Sequence, residues 1–207
     1  MSYSSLGIAG CEFKNITPNI DSIAKNGVFF KNAHTTVGLC QPSRSVWMTG
    51  LYPWNNGALG FNCINQKAET LISILKQKNY ITGIIGKSEH LCPSNKFDWS
   101  FTVKGYDSVS GYGKNIESYY NYSKAFFLSS PSPFFLMINS HYPHRAFEKN
   151  TRYDSNRVKV PDFLPDYPET RKELAQYYEG VTRCDILVGE ILRALKESIP
   201  EGIASLM

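Results

Sequence analysis

Tyr80-Ile81-Thr82-Gly83-Ile84-Ile85-Gly86-Lys87-Ser88-Glu89-His90 is the stretch from which the fold class is read. Its β-branched run, bounded by Asn79 and Gly86, predicts a short buried strand. Leu71, Ile74 and Leu75 just upstream give the apolar face of a helix. A second run, Pro133-Phe134-Phe135-Leu136-Met137-Ile138, is apolar throughout and follows the breaker Ser130-Pro131-Ser132-Pro133 and a helical segment over 116–128. Strands apolar on both sides, alternating with helices, predict an α/β fold: a mostly parallel central sheet with helices on both faces. Open sheets of that kind gather ligands at the carboxyl edge of their strands. Here both strands run out into polar groups, Lys87 and His90 after the first, His141 and His144 after the second.

Working outward, Thr17 to Gly27 reads as a helix with Thr17 as N-cap, Pro18 in the first turn and Gly27 past its end. Val28-Phe29-Phe30 is a β-rich step. Pro42 to Met48 opens a second helix after the loop 35–39. The segment from Asp98 to Gly113, rich in glycine, serine and aromatics, predicts irregular structure. Prolines 161, 165 and 168 mark an extended crossing segment. From Glu169 to Ser198 one long amphipathic helix is expected, its core face made by Leu174, Tyr177, Val181, Cys184, Val188, Ile191 and Leu195.

Composition narrows the function classes. The 207 residues are 42% hydrophobic and 14% aromatic, enough for a packed core. Lysine and arginine exceed aspartate and glutamate by 22 to 18, a weak bias toward an anionic substrate. No basic run interleaves with aromatics, so no nucleic acid partner is expected. No apolar stretch reaches the roughly 18 residues of a membrane span. The first residues lack the charged and apolar regions of a signal peptide. Five cysteines without a C-x-x-C pair speak against a zinc ribbon. The sequons at Asn15 and Asn121 are short enough to arise by chance.

The chemistry is concentrated in Gly38-Leu39-Cys40-Gln41-Pro42-Ser43-Arg44-Ser45-Val46-Trp47-Met48-Thr49-Gly50. A cysteine just before a helix start sits among free N–H groups and the positive end of the dipole. Arg44, one turn in, adds a cation able to hold an oxyanion through two hydrogen bonds. Together they make an anion cradle with a reactive group inside.

C-x-P-S-R followed by an apolar pair and Thr-Gly resembles the maturation and active-site motif of the type I sulfatases, and Gly86-Lys87 with His90, then His141-Tyr142-Pro143-His144-Arg145, are similar to further segments of that family. Thr17-Pro18-Asn19-Ile20-Asp21, Asn56-Gly57-Ala58-Leu59-Gly60 and Val160-Pro161 to Pro168 extend the likeness over nearly the whole chain, and the last two, with Pro-His-Arg, draw it toward the sulfamidase-like members. The resemblance implies an alkaline-phosphatase-like sulfatase core. It implies that Cys40 is oxidised by a formylglycine-generating enzyme to formylglycine, whose hydrate attacks sulfur with one hydroxyl and releases sulfate with the other. By the same likeness Arg44 stabilises the nucleophile, Lys87 and His90 bind sulfate oxygens and the second hydroxyl, and His141 protonates the leaving amine or alcohol, with His144 as a further substrate contact. Gln41 stands where a small residue is more common, and Lys87 and His90 are one residue further apart than is usual.

A sulfated glycosaminoglycan, specifically the N-linked sulfate of heparan-type glucosamine, is the implied substrate; a sulfate ester of another sugar, a catalytically inert sulfatase-like fragment and a phosphodiesterase relative are the alternatives. Cys40 speaks against the last, since phosphate-transferring relatives use serine or threonine. A zinc site at His141-x-x-His144 lacks a cysteine or carboxylate partner at suitable spacing. The family binds calcium with an aspartate pair after its first strand and an Asp-Asn pair after a later one. Neither pair occurs here, so Cys40 is the one ligand the likeness assigns. The expected domain, 1–207, is thus a partial N-terminal catalytic domain, incomplete at both ends and without the C-terminal subdomain. A lysosomal, secreted or periplasmic location is also implied, with a homodimer as one assembly open to the full-length parent.

Overall fold

The computed structural model describes residues 1–104, 113–130 and 133–199. Positions 105–112 of the segment expected to be irregular, the breaker residues 131 and 132, and the last residues from 200 lie outside the described residues. The helices are α1 (Pro18–Lys25), α2 (Cys40–Thr49), α3 (Pro53–Asn56), α4 (Leu71–Gln77), α5 (Ile116–Ser129) and α6 (Pro168–Ser198), and the strands β1 (Ile81–Ile85), β2 (Phe101–Val103) and β3 (Phe134–Ile138). Two compact units result. One comprises Met1–Phe29, Lys114–Tyr120 and Ser140–Met207, the other Phe30–Gly113 and Asn121–Asn139.

The second unit is built on a parallel sheet in the order β2-β1-β3. Gly83 of β1 lies opposite Phe101 and Leu136, and Ile85 opposite Val103 and Ile138, so all three strands end together. Because side chains alternate along a strand, β1 serves two helix layers. Ile84 is fully buried against Met48 of α2, Ile72 of α4, Ala58, Ile64, Leu91 and Phe97. Burial of an isoleucine of this kind is worth about 1.5–3 kcal/mol. On the opposite face the Phe126 ring of α5 lies over Gly83 and meets Phe101 and Phe134 edge-on at 5.4 and 5.6 Å. A Cβ on Gly83 would come within 2.5 Å of that ring, so glycine here admits the helix. Helices therefore cover both faces of a parallel sheet, as expected.

Several local expectations are corrected. Phe101–Val103 is a strand, although the surrounding composition predicts irregular structure. Val28-Phe29-Phe30 forms no strand, and Val28 and Phe30 are largely exposed. On α4, Leu71 packs partly buried against the core as expected, but Ile72, 1% exposed, is the deepest residue and Ile74 is 42% exposed; Thr70 and Ser73 form a capping box at the helix start. Helix α2 starts at Cys40 with Leu39 as N-cap, two residues before Pro42.

In the first unit α1 and α6 pack together around Phe13, Ile16, Val158, Ala175, Tyr178 and Val181. Of the apolar face expected for α6, Val181 is fully buried and Leu174 and Tyr177 pack, partly buried, against the same core; the fully buried stripe also takes in Tyr178, Glu179, Thr182, Asp185 and Leu187. Buried polar groups need partners, and these have them. Glu179 pairs with Arg152 at 2.9 Å and Arg183 at 3.2 Å. Asp185 accepts from the backbone N–H groups of Asn19 and Ile20, at 3.2 and 2.8 Å, at the start of α1. Thr17 is the N-cap of α1, as expected, but its hydroxyl donates to Asp21 and accepts from the Gly7 N–H and does not bond to the N–H groups of the helix start. Among the described residues no helix is long and apolar enough to cross a membrane.

Candidate active site

The site candidates of the second unit meet at the carboxyl edge of the sheet. Extended Leu39 delivers Cys40 to the first turn of α2, whose opening N–H groups face out of the helix. Arg44 follows one turn later on the same face. Lys87 is the second residue after β1, behind Gly86, and both have positive φ, 76° for Gly86 and 50° for Lys87. A left-handed lysine costs roughly 1 kcal/mol or more, and the turn brings its side chain in: Lys87 is only 7% exposed. Immediately downstream Ser88–His90 forms one 3-10 turn in contact with α2, and the His90 ring meets Phe61 edge-on at 6.3 Å.

Electrostatics tie these residues together. Burial pushes the Arg44 guanidinium below its ordinary pKa, while the charge of Cys40 and then Glu89 pull it back up. Burial likewise pushes the Lys87 ammonium down, and the positive charge of Arg44 adds to that push against the opposing effects of Cys40 and Glu89. Two partly desolvated cations repelling each other make a place where a bound dianion relieves strain in the charge distribution. Arg44 is held by Asn139, the residue after β3, whose side-chain oxygen accepts from the guanidinium. The same amide donates to the carbonyls of Gly86 at 2.9 Å and Ile85 at 3.3 Å. Gln41 is buried, its side chain donating to the Asn62 carbonyl at 2.9 Å.

A pH dependence follows. Lys87 binds an anion while protonated, so inorganic sulfate affinity should be full near neutrality and fall as pH rises through its lowered pKa, below the ordinary lysine value of about 10.4. The unfolded chain holds this proton to higher pH than the folded one, so the Lys87 contribution to stability rises with pH over the same window. Calorimetric titration with sulfate at increasing pH should show the loss, and Lys87→Met should weaken binding about tenfold at neutrality and flatten the profile. An unchanged profile in Lys87→Met would remove Lys87 from the anion site.

His141 and His144 belong to the first unit, in the turn that follows β3 in the chain. Their rings lie edge to face at 6.0 Å, and the His144 N–H donates to the His141 carbonyl at 2.6 Å. Arg145 pairs with Glu173 at 2.8 Å. Tyr142, between the histidines, donates to Glu148 at 3.1 Å, and burial, then the Glu148 charge, raise its phenol pKa.

Two residues of the cluster had no place in the sequence reading. Glu89 is the acid nearest in effect to both cations, and Asn139 is the anchor of Arg44. The signal for Asn139 was present, a single amide directly after the five apolar residues of β3. Among the described residues no group of three or more histidine, cysteine, aspartate or glutamate side chains could hold a metal ion. Cys63 and Cys92 form a disulfide, and Cys11, Cys40 and Cys184 are free thiols.

Residues 1–201 match the family model described as Sulfatase. The chain is 32% identical to human N-sulphoglucosamine sulphohydrolase over 88% of its own length and 43% of that protein. It is 28% identical to an ulvan-active sulfatase of Formosa agariphila, over 86% of this chain and 36% of the relative. Thus it spans less than half the length of these curated relatives. In fold it is similar to a putative sulfatase from Bacteroides fragilis, with a TM-score of 0.75 at 22% identity over 94% of this chain and 56% of that one.

Proposed function

The chain belongs to the sulfatase family, and from that premise we propose that it carries the nucleophile-bearing part of a hydrolase that removes sulfate from a sulfated sugar. The observation that carries the proposal is the convergence of Cys40, Arg44 and buried Lys87 at one sheet edge. Oxidised to formylglycine and hydrated by one water, Cys40 would supply two hydroxyls on one carbon, one to attack sulfur and one whose proton loss re-forms the aldehyde and expels sulfate. Arg44 and Lys87 hold the sulfate oxygens and offset the charge that grows on them as sulfur is attacked. His90 borders the same cluster. His141, a histidine at the strand exit, gives its proton to the departing nitrogen or oxygen, work for which imidazole is suited, and His144 contacts the sugar.

Within this reading the substrate is the N-linked sulfate of glucosamine in a heparan-type chain, a choice supported by the 32% identity to human N-sulphoglucosamine sulphohydrolase. A sulfate ester of another sugar is the alternative, favoured by the ulvan-active relative. The Cys63–Cys92 disulfide supports an oxidising compartment, outside the cytosol. The test uses the full gene product, coexpressed with a formylglycine-generating enzyme. Peptide mass across residues 40–44 should show formylglycine at position 40, and N-sulfoglucosamine should release sulfate faster than 6-O-sulfated glucosamine. Sulfate release by a preparation whose Cys40 is wholly unmodified would overturn the nucleophile, and preference for the O-sulfated sugar would move the substrate to the alternative.

A further inference from the structure

Asn139 stands at a junction of three elements. It is the first residue beyond β3, it is only 6% exposed, and its backbone N–H continues the sheet by donating to the Ile85 carbonyl at 2.8 Å. Its side-chain amide donates to the carbonyls of Gly86 and Ile85, which lie in the turn that delivers Lys87. The remaining amide oxygen accepts from the Arg44 guanidinium on α2. One side chain thus ties the end of β3, the exit of β1 and the first turns of α2.

We propose that Asn139 is a positioning residue, which aims Arg44 at the bound sulfate and keeps it beside Lys87 without neutralising its charge. This rests on the sulfatase reading of the same site. The choice of amide has a physical reason. Two backbone carbonyls face the Asn139 nitrogen, and only an N–H donor satisfies them, whereas a carboxylate would set an oxygen against oxygens. A carboxylate would also form a charged pair with Arg44 and cancel the positive field that holds the anion. A neutral oxygen fixes the guanidinium and leaves that charge available. Without the anchor, Arg44 has several rotatable bonds and a like-charged neighbour in Lys87 pushing it away. An ordered placement is lost more readily than the charge itself.

The experiment is a double-mutant cycle read by inorganic sulfate binding, with the 207-residue chain and its Asn139→Ala, Arg44→Ala and combined variants titrated in a calorimeter. Asn139→Ala should weaken sulfate binding about tenfold and Arg44→Ala by more. The combined variant should bind no worse than Arg44→Ala, because a residue that acts only through Arg44 has nothing left to position. Asn139→Asp should bind sulfate more weakly than Asn139→Ala, an order that a merely structural role for the amide would not produce. Thermal midpoints recorded in parallel separate a general loss of fold from a loss of aim. Losses that multiply in the combined variant, or an Asn139→Ala protein that binds sulfate as the parent does, overturn the inference while Arg44-dependent binding keeps the sulfatase reading. A parent chain with no affinity for sulfate overturns both.

Discussion

Cys40→Ala in the full gene product should reduce sulfate release by at least about 10⁴-fold, while inorganic sulfate affinity stays within about threefold of the parent. The asymmetry follows from the division of labour at the sheet edge. Arg44 and Lys87 supply the charge that holds the anion, and both stay in place when one small side chain at the start of α2 loses its reactive atom. What disappears is the group that bonds to sulfur. An unmodified thiol falls short for a related reason: its Cβ bears one heteroatom, so nothing on that carbon can drive the sulfated adduct apart. Initial rates with N-sulfoglucosamine, beside a sulfate titration, check both halves. Residual turnover near the parental level would show that another residue attacks, and a parallel loss of sulfate affinity would make Cys40 part of the binding site.

The sheet was legible where sequence and physics leave little choice. β1 and β3 are short apolar runs between breakers, and residues apolar on both sides of a strand are stable only between two helix layers. Gly83 marks one of those layers, since the Phe126 ring needs the space a Cβ would take. β2 was hidden because three residues form it, with Thr102 exposed, and pairing with β1 rather than its own composition holds it in place. Val28-Phe29-Phe30 misled in the opposite sense: β propensity reports fit to a sheet surface, and no strand forms there to pair with. On α6 the apolar heptad was visible, but the buried stripe includes Glu179 and Asp185 because Arg152, Arg183 and the α1 backbone satisfy them. A polar residue with a distant partner looks, in sequence, like a solvated one.

The candidate site divides in the same way. Cys40, Arg44 and Lys87 were legible from motif spacing and from where helix starts and strand ends place charge. Asn139 and Glu89 were not, because their roles depend on which elements lie side by side: an amide after β3 matters to Arg44 only once β3 is beside β1 and β1 ends near α2. Motif comparison marked Gln41, but not what it touches. As a departure from the usual small residue it has a local use, since its buried amide ties the start of α2 to the Asn62 carbonyl, next to Cys63.

That neighbour leads to the largest stability effect expected. The Cys63–Cys92 bond closes a loop with a sequence separation of 29, and the loop contains α4, β1 and the turn bearing Lys87 and His90. The Ile64 N–H donates to the Cys92 carbonyl at 2.9 Å, so the backbone is paired at the crosslink as well. A crosslink of this span restricts the unfolded chain by an amount worth roughly 3–4 kcal/mol. Against a total stability of about 5–15 kcal/mol for a domain, that is a large share. The Cys63→Ser/Cys92→Ser protein should therefore unfold at clearly lower urea concentration than the parent, with the parent in excess dithiothreitol behaving like the variant. Sulfate affinity should fall too, because His90 is two residues from Cys92 and Lys87 only five, so loosening this end frees the turn that carries the Lys87 cation and the His90 ring beside α2. Urea curves that coincide for parent, reduced parent and variant would mean that the bond contributes nothing to the fold, and would withdraw its support for an oxidising compartment.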